Sequence, residues 1–182
     1  PIVAIPVYGR SADNIRDHRH VTSLLHRIDT KECGVEVTPV LSFDERGHQK
    51  NDTTYFVYGF TAEGNAPKEF YPTVESFIGE GGSFLIPEAV RVEKTGCTAG
   101  CHLEGKEAVG AFRFERRKLK ANESIEYVVL AGATGEKASI SKICTLFGTK
   151  EQAENELAKV KKYWTEKVNV EFETGDEATD NY

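Results

Sequence analysis

The sequence predicts a mostly β protein: an antiparallel β-sandwich followed by one α-helix. Three observations carry this. Apolar residues alternate at period two through 35–43 (Val35, Val37, Leu41 and Phe43, with Pro39 in phase), as in a strand with one face buried. Short β-branched and aromatic runs then recur between Gly-, Asn- and Pro-containing turns up to about residue 148, the spacing of antiparallel sheet proteins. Residues 149–167 instead carry one apolar stripe at helical spacing. The expected division is therefore a β domain over 1–148, with a linker helix and extended tail over 149–182.

Taken in order, residues 2–8 form a short apolar run containing Pro6, which suits an edge strand. The 20–28 segment is ambiguous from its residues: Val21, Leu24, Leu25 and Ile28 fit a helical stripe with Asp13 or Asp17 as cap, but β structure follows at once. Residues 44–48 read as a turn and 53–61 as the returning strand. Residues 63–67 form a loop. The 72–87 stretch, with Gly79, Gly81 and Gly82, reads as irregular and tightly turned. Residues 108–119 predict a strand, 121–124 a turn and 125–133 its return; a further turn at 132–136 leads to a last strand over 140–147. Thr149 and Gln152 make a capping box, with acidic residues in the first turns and lysines towards the end. Ala153, Leu157, Val160 and Trp164 form a narrow stripe that should dock.

Composition bounds the function. A chain of 182 residues holds one ordinary core. The net charge of −6 argues against binding a nucleic-acid backbone, which needs Lys and Arg to neutralise phosphates. Charge is uneven, however: Arg10, Arg16, His18, Arg19, His20, His26 and Arg27 crowd the front, which suggests a local anion or sugar site. No apolar run is long enough to span a bilayer, so no membrane partner is expected. No leader pattern is visible, and a chain without Met that starts at Pro1 is expected to be a segment of a longer one. Of the four cysteines, Cys97 and Cys101 precede His102 like half of a metal site, but no second pair follows at usable spacing. Free thiols in a reducing cytoplasm are the reading, with a disulfide in that turn as the alternative.

Two stretches carry a resemblance. Phe70-Tyr-Pro-Thr-Val-Glu-Ser-Phe-Ile-Gly79, followed by Pro87-Glu-Ala-Val90, resembles the T-x-x-x-F-I-G … P-x-A run of the cellobiose phosphorylase family, glycoside hydrolase family 94. The capped helix with Trp164, Val170-Glu-Phe-Glu-Thr174 and Asp180-Asn-Tyr182 resemble that family's bridge into its helical barrel, and Leu119–Val129 its preceding strand pair. The likeness runs from about residue 15 onward. Asp17-His-Arg-His20 and Phe43-Asp-Glu-Arg-Gly-His48 are more similar to β-1,2-oligoglucan phosphorylases.

The resemblance implies an N-terminal super-sandwich of galactose-mutarotase-like type, a helical linker and an (α/α)6 catalytic barrel, the last outside this chain. It turns the 20–28 segment to strand. It also implies inverting phosphorolysis of a β-glucan to a sugar 1-phosphate, with one carboxylic acid protonating the leaving oxygen and phosphate as nucleophile. The implied partners are the oligosaccharide, inorganic phosphate as co-substrate and a second copy in a homodimer, in the cytoplasm and with no cofactor or metal. This chain alone would then be a non-catalytic domain.

Candidate residues near substrate or phosphate are Arg16, His18, Arg19 and His20, against a plain charged turn, and Asp44, Glu45, Arg46 and His48, against an ordinary polar hairpin turn. Phe77 and Gly79 read as structural and Trp164 as core. Two other functions compete. A free-standing carbohydrate-binding module needs exposed aromatics on one sheet face, with Tyr55, Tyr58, Tyr71 and Tyr127 as candidates. A mutarotase-like epimerase needs a His base and a Glu acid converging in one cleft.

Overall fold

The structure is a computed structural model, and its described residues are 2–6, 23–44, 47–135, 137–167 and 173–180. Among the described residues the strands are β1 Ile2–Pro6, β2 His26–Lys31, β3 Gly34–Pro39, β4 Leu41–Asp44, β5 Gly47–Lys50, β6 Thr54–Thr61, β7 Glu69–Thr73, β8 His102–Glu104, β9 Ala108–Arg113 and β10 Tyr127–Thr134. The helices are α1 Val74–Ile78, α2 Glu88–Arg91, α3 Ala138–Phe147, α4 Lys150–Lys167 and α5 Glu177–Asp180. All described pairings are antiparallel. The strands form a three-stranded sheet β1-β9-β7, a five-stranded sheet β10-β6-β3-β2-β8 and a separate hairpin β4-β5.

Period-two patterning explains the larger sheet. Val35 and Val37 of β3 lie opposite Val57 and Tyr55 of β6. They join Ile28 and Val57 in a cluster with Phe70, Ala108, Phe112 and Phe114, which come from the smaller sheet and the end of β9. The two sheets meet closely where side chains are missing. A Cβ at Gly110 would lie 2.5 Å from Val57 Cβ, and one at Gly59 would lie 2.2 Å from the Phe112 ring. Both glycines are there to let the sheets approach.

The outward faces are covered too. Phe56, Tyr58 and Phe60 pack with Ile140 of α3, and Cys33, Ile143 and Cys144 border them. Tyr71, Val109 and Ala111 pack with Phe77 of α1 and Ala89 of α2. Strands β6 and β9 therefore read as nearly continuous apolar runs because both of their faces are buried. Buried polar groups on the face towards α3 are paired: Glu36 accepts from the Tyr58 hydroxyl at 2.5 Å, and Thr54 and Thr38 share a hydrogen bond at 3.2 Å.

Several expectations need correction. The single helix gives way to five helical segments among the described residues. The strand expected at 140–147 is part of α3: Ile140, Ile143, Cys144 and Phe147 recur at i, i+3, i+4 and i+7, a helical period. Within 72–87, Thr73 caps α1. Its hydroxyl accepts from Ser76 N and Ser76 Oγ accepts from Thr73 N, both at 3.1 Å. Serine does there what Glu or Gln usually does in such a box, so the signal is faint in sequence. The 35–43 strand breaks after Pro39: Val40 N donates to Leu25 O at 3.2 Å, and among the described residues β4 pairs with β5 alone.

Nor do 108–119 and 125–133 form a hairpin. β9 lies between β1 and β7, while β10 pairs with β6 in the other sheet. β9 is buried along almost its whole length and needs partners on both sides, whereas β10 is largely exposed and suits an edge. Among the described residues β1 lies at the edge of its sheet, as expected. In the 20–28 segment His26, Arg27 and Ile28 belong to β2, and residues 20–22 lie outside the described residues. The capping box on α4 is present, with Thr149 N donating to Gln152 Oε1 at 3.0 Å. The α4 stripe does not pack, however: Leu157, Val160 and Trp164 are all more than half exposed.

Candidate functional groove

A concave surface lies where the chain leaves β9. Residues 113–117 run Arg, Phe, Glu, Arg, Arg. Phe114 turns into the core at 3% exposure, leaving its charged neighbours outward. On one side they wall a groove of about 660 Å3 with Lys68, Glu69, Ala89, Val90 and Glu93. On the other, Phe114, Glu115 and Arg117 also border a hollow of about 240 Å3 with Thr61, Glu63, Asn65, Ala66, Ile125 and Tyr127. The two spaces lie on either side of Phe114, Glu115 and Arg117, which line both.

Arg113 holds the first half in place. Its guanidinium donates to Glu69 Oε2 at 3.0 Å, Ala89 O at 2.7 Å and Lys94 O at 3.1 Å. It also lies over the Tyr71 ring, 5.2 Å from the centroid, a cation–π geometry. Tyr71 donates to Lys94 O at 2.5 Å, and burial pushes its phenol up to about 12. Glu69 also accepts from Gly96 N at 3.2 Å. One planar cation thus ties β9 to β7, α2 and the strap that follows α2, which the fork of an arginine allows and a lysine does not.

Charge in the groove is balanced. Lys68 pairs with Glu115 at 3.0 Å, Arg113 with Glu69 at 3.0 Å, and Arg116 with Glu93. Arg117 is the fourth cation and Glu63 the fourth carboxylate. A hydrogen bond from Thr61, aided by Arg117, holds the Glu63 carboxyl below the usual range. The floor of the smaller hollow is aromatic, with Phe114 and Tyr127 centroids 4.5 Å apart. The described lining contains no histidine, so it offers no imidazole base.

Titratable groups elsewhere have other partners. His102 on β8 contacts Asp29 Oδ1 through Nδ1 at 2.7 Å and Glu104 Oε1 through Nε2 at 3.2 Å. These hydrogen bonds, Asp29's first, raise its pKa. His26 is buried with no hydrogen-bond partner for either ring nitrogen among the described residues. Burial lowers its pKa. Among the described residues no group of three His, Cys, Asp or Glu side chains could hold a metal.

Of the candidates read from sequence, Arg16, His18, Arg19 and His20 lie outside the described residues, as do Glu45 and Arg46. Asp44 and His48 fall on the β4-β5 hairpin, opposite Gly47 and Phe43 in its register. Of the groove residues only Tyr127 was singled out in the sequence, as a candidate aromatic for sugar binding. The signal was there in the abrupt change from a buried strand to the charged run 115–118. A scan against family models matches no family, and a search of curated proteins finds no match.

Proposed function

We propose that this chain is a non-catalytic β-sandwich domain of a glycoside phosphorylase that acts on β-glucans, and that the 113–117 groove holds a stretch of the oligosaccharide. Inorganic phosphate and the catalytic acid would be engaged by another part of that enzyme, working in the cytoplasm as a homodimer. The observation that carries the binding half of this reading is the groove's lining: Lys68, Arg113, Arg116 and Arg117 against Glu63, Glu69, Glu93 and Glu115.

A balanced set of fixed donors and acceptors suits a neutral polyhydroxylated ligand, since each hydroxyl both gives and takes a hydrogen bond. Phosphate would instead favour a surplus of cations. The volume suits a few sugar rings, and the partly exposed Tyr127 offers an apolar face for one of them. The sandwich reading is supported by the apolar cluster that both large sheets share. Phe77 and Gly79, residues of the motif that carries the resemblance, have structural roles. Phe77 is core, and Gly79 ends α1 at φ +82° with Glu88 against the position of its absent Cβ. A stand-alone carbohydrate-binding module would use the same groove. An epimerase finds no imidazole base in the described lining.

Calorimetric titration with β-1,2- and β-1,4-linked gluco-oligosaccharides tests this. Binding should weaken about tenfold in Arg117→Ala, a loss of roughly 1.4 kcal/mol, while inorganic phosphate alone gives no heat. Binding of phosphate without binding of any glucan would overturn the reading.

A further inference from the structure

We propose that Cys97 and Cys101 form a dithiol–disulfide site, a latch between the two large sheets that closes by exchange with a small-molecule disulfide. The backbone supplies the geometry. At one end of the loop, Cys97 N donates to Phe70 O and Phe70 N donates to Cys97 O, each at 2.9 Å, which fixes Cys97 to β7 of the three-stranded sheet. At the other end, Cys101 N donates to Thr30 Oγ1 and Thr30 N donates to Cys101 O, each at 2.9 Å, which fixes Cys101 to β2 of the five-stranded sheet.

The interior of the loop is held as well. Gly100, at φ +90°, donates to Thr30 O at 2.9 Å, and the Thr30 hydroxyl donates to Thr98 O at 2.8 Å. Thr30 itself is 2% exposed. With both ends and the turn pinned, little chain freedom remains to be lost when the sulfurs join. Cys97 and Cys101 stand four residues apart at the two pinned ends of this loop, and both are half-buried, within reach of a small reagent.

The chemistry follows from the environments. Burial, then the neighbouring Cys101 sulfur, push the Cys97 thiol up to about 11, so exchange starts at Cys101. Its thiolate attacks one sulfur of the small disulfide and expels the first thiolate, giving a mixed disulfide. Cys97 then loses its proton to solvent, attacks the Cys101 sulfur and expels the second thiolate. Two protein thiols and one small disulfide become one protein disulfide and two small thiols, with two electrons passing to the reagent. Cys33 and Cys144 are also half-buried free thiols, on the β2–β3 turn and on α3. They serve as an internal reference. This proposal does not depend on the groove.

The test is incubation of the folded protein with oxidised glutathione, followed by alkylation and peptide mapping. The expected result is the loss of two of the four alkylatable thiols, with a bond joining Cys97 to Cys101 and with Cys33 and Cys144 still free. Cys97→Ser should instead trap glutathione on Cys101. Amide exchange at Thr30, Gly100 and Cys101 should slow in the oxidised wild type, as a latch requires. The proposal is overturned if all four thiols stay alkylatable, if the bond formed involves Cys33 or Cys144, if glutathione adducts persist on the wild type without an internal bond, or if exchange at those amides is unchanged by oxidation.

Discussion

Arg113→Ala should destabilise the protein by about 2–3 kcal/mol, from the charge-assisted bonds it removes. Arg113 makes three hydrogen bonds, to Glu69, Ala89 O and Lys94 O. Taken singly, each is a bond of roughly 1.5–3 kcal/mol. The sum is discounted for two reasons. The ion pair is about one-fifth exposed on both sides, and two of the three acceptors keep another donor: Lys94 O keeps Tyr71, and Glu69 keeps Gly96 N. For a chain of this length the loss corresponds to a fall in Tm of about 4–12 °C. Urea unfolding read by circular dichroism measures it directly. Arg113→Lys should lose about half as much, because an ammonium keeps the charge opposite Glu69 but cannot also span Ala89 and Lys94. A loss below about 0.5 kcal/mol for Arg113→Ala, the range of an ordinary surface substitution, would refute the claim that this residue ties β9 to the groove's far wall.

Further predictions follow the same reasoning. Gly59→Ala should cost about 1–3 kcal/mol through overpacking, since the new methyl would fall on the Phe112 ring; an unchanged urea midpoint would contradict the close approach of the two sheets. The two histidines act in opposite directions with pH. His26, lowered by burial, takes stability away as pH falls below the ordinary histidine value of 6.5. His102, raised by Asp29 and Glu104 and flanked by Arg27 and Lys31, gives stability below 6.5 that is lost as pH rises through its higher folded value. His102→Gln should therefore abolish the loss on the alkaline side and leave the acid-side loss intact; a wild-type profile in the variant would refute that assignment. Trp164, the one tryptophan, is 58% exposed, so its fluorescence should be quenched by iodide in the folded protein, and protection would show that the α4 stripe is covered.

What was legible in the sequence was local. Period-two runs announced β3, β6 and β9, and Thr149 with Gln152 announced the start of α4, because strand alternation and helix caps act over a few residues. Pairing between distant segments was not legible. Nothing near residues 121–124 says that the chain leaves one sheet for the other; that choice follows from β9 needing two neighbours and β10 needing one. Ile140 and Ile143 misled because a short apolar run fits either period until its partners are known. The groove was missed for a related reason: Lys68, Glu69, Glu93 and 113–117 are separated in sequence, and only the β7–β9 pairing and the Arg113 bonds bring them together.

The central claim is that the 113–117 groove receives a neutral glucan. Backbone amide NMR of the folded protein during titration with a β-linked gluco-oligosaccharide tests it most directly. The account predicts saturable shifts confined to 61–69, 89–93, 113–117 and 125–127, with none on addition of phosphate alone. Shifts centred on the His102 edge or the β4-β5 hairpin, or a response to phosphate but not to glucan, would contradict it.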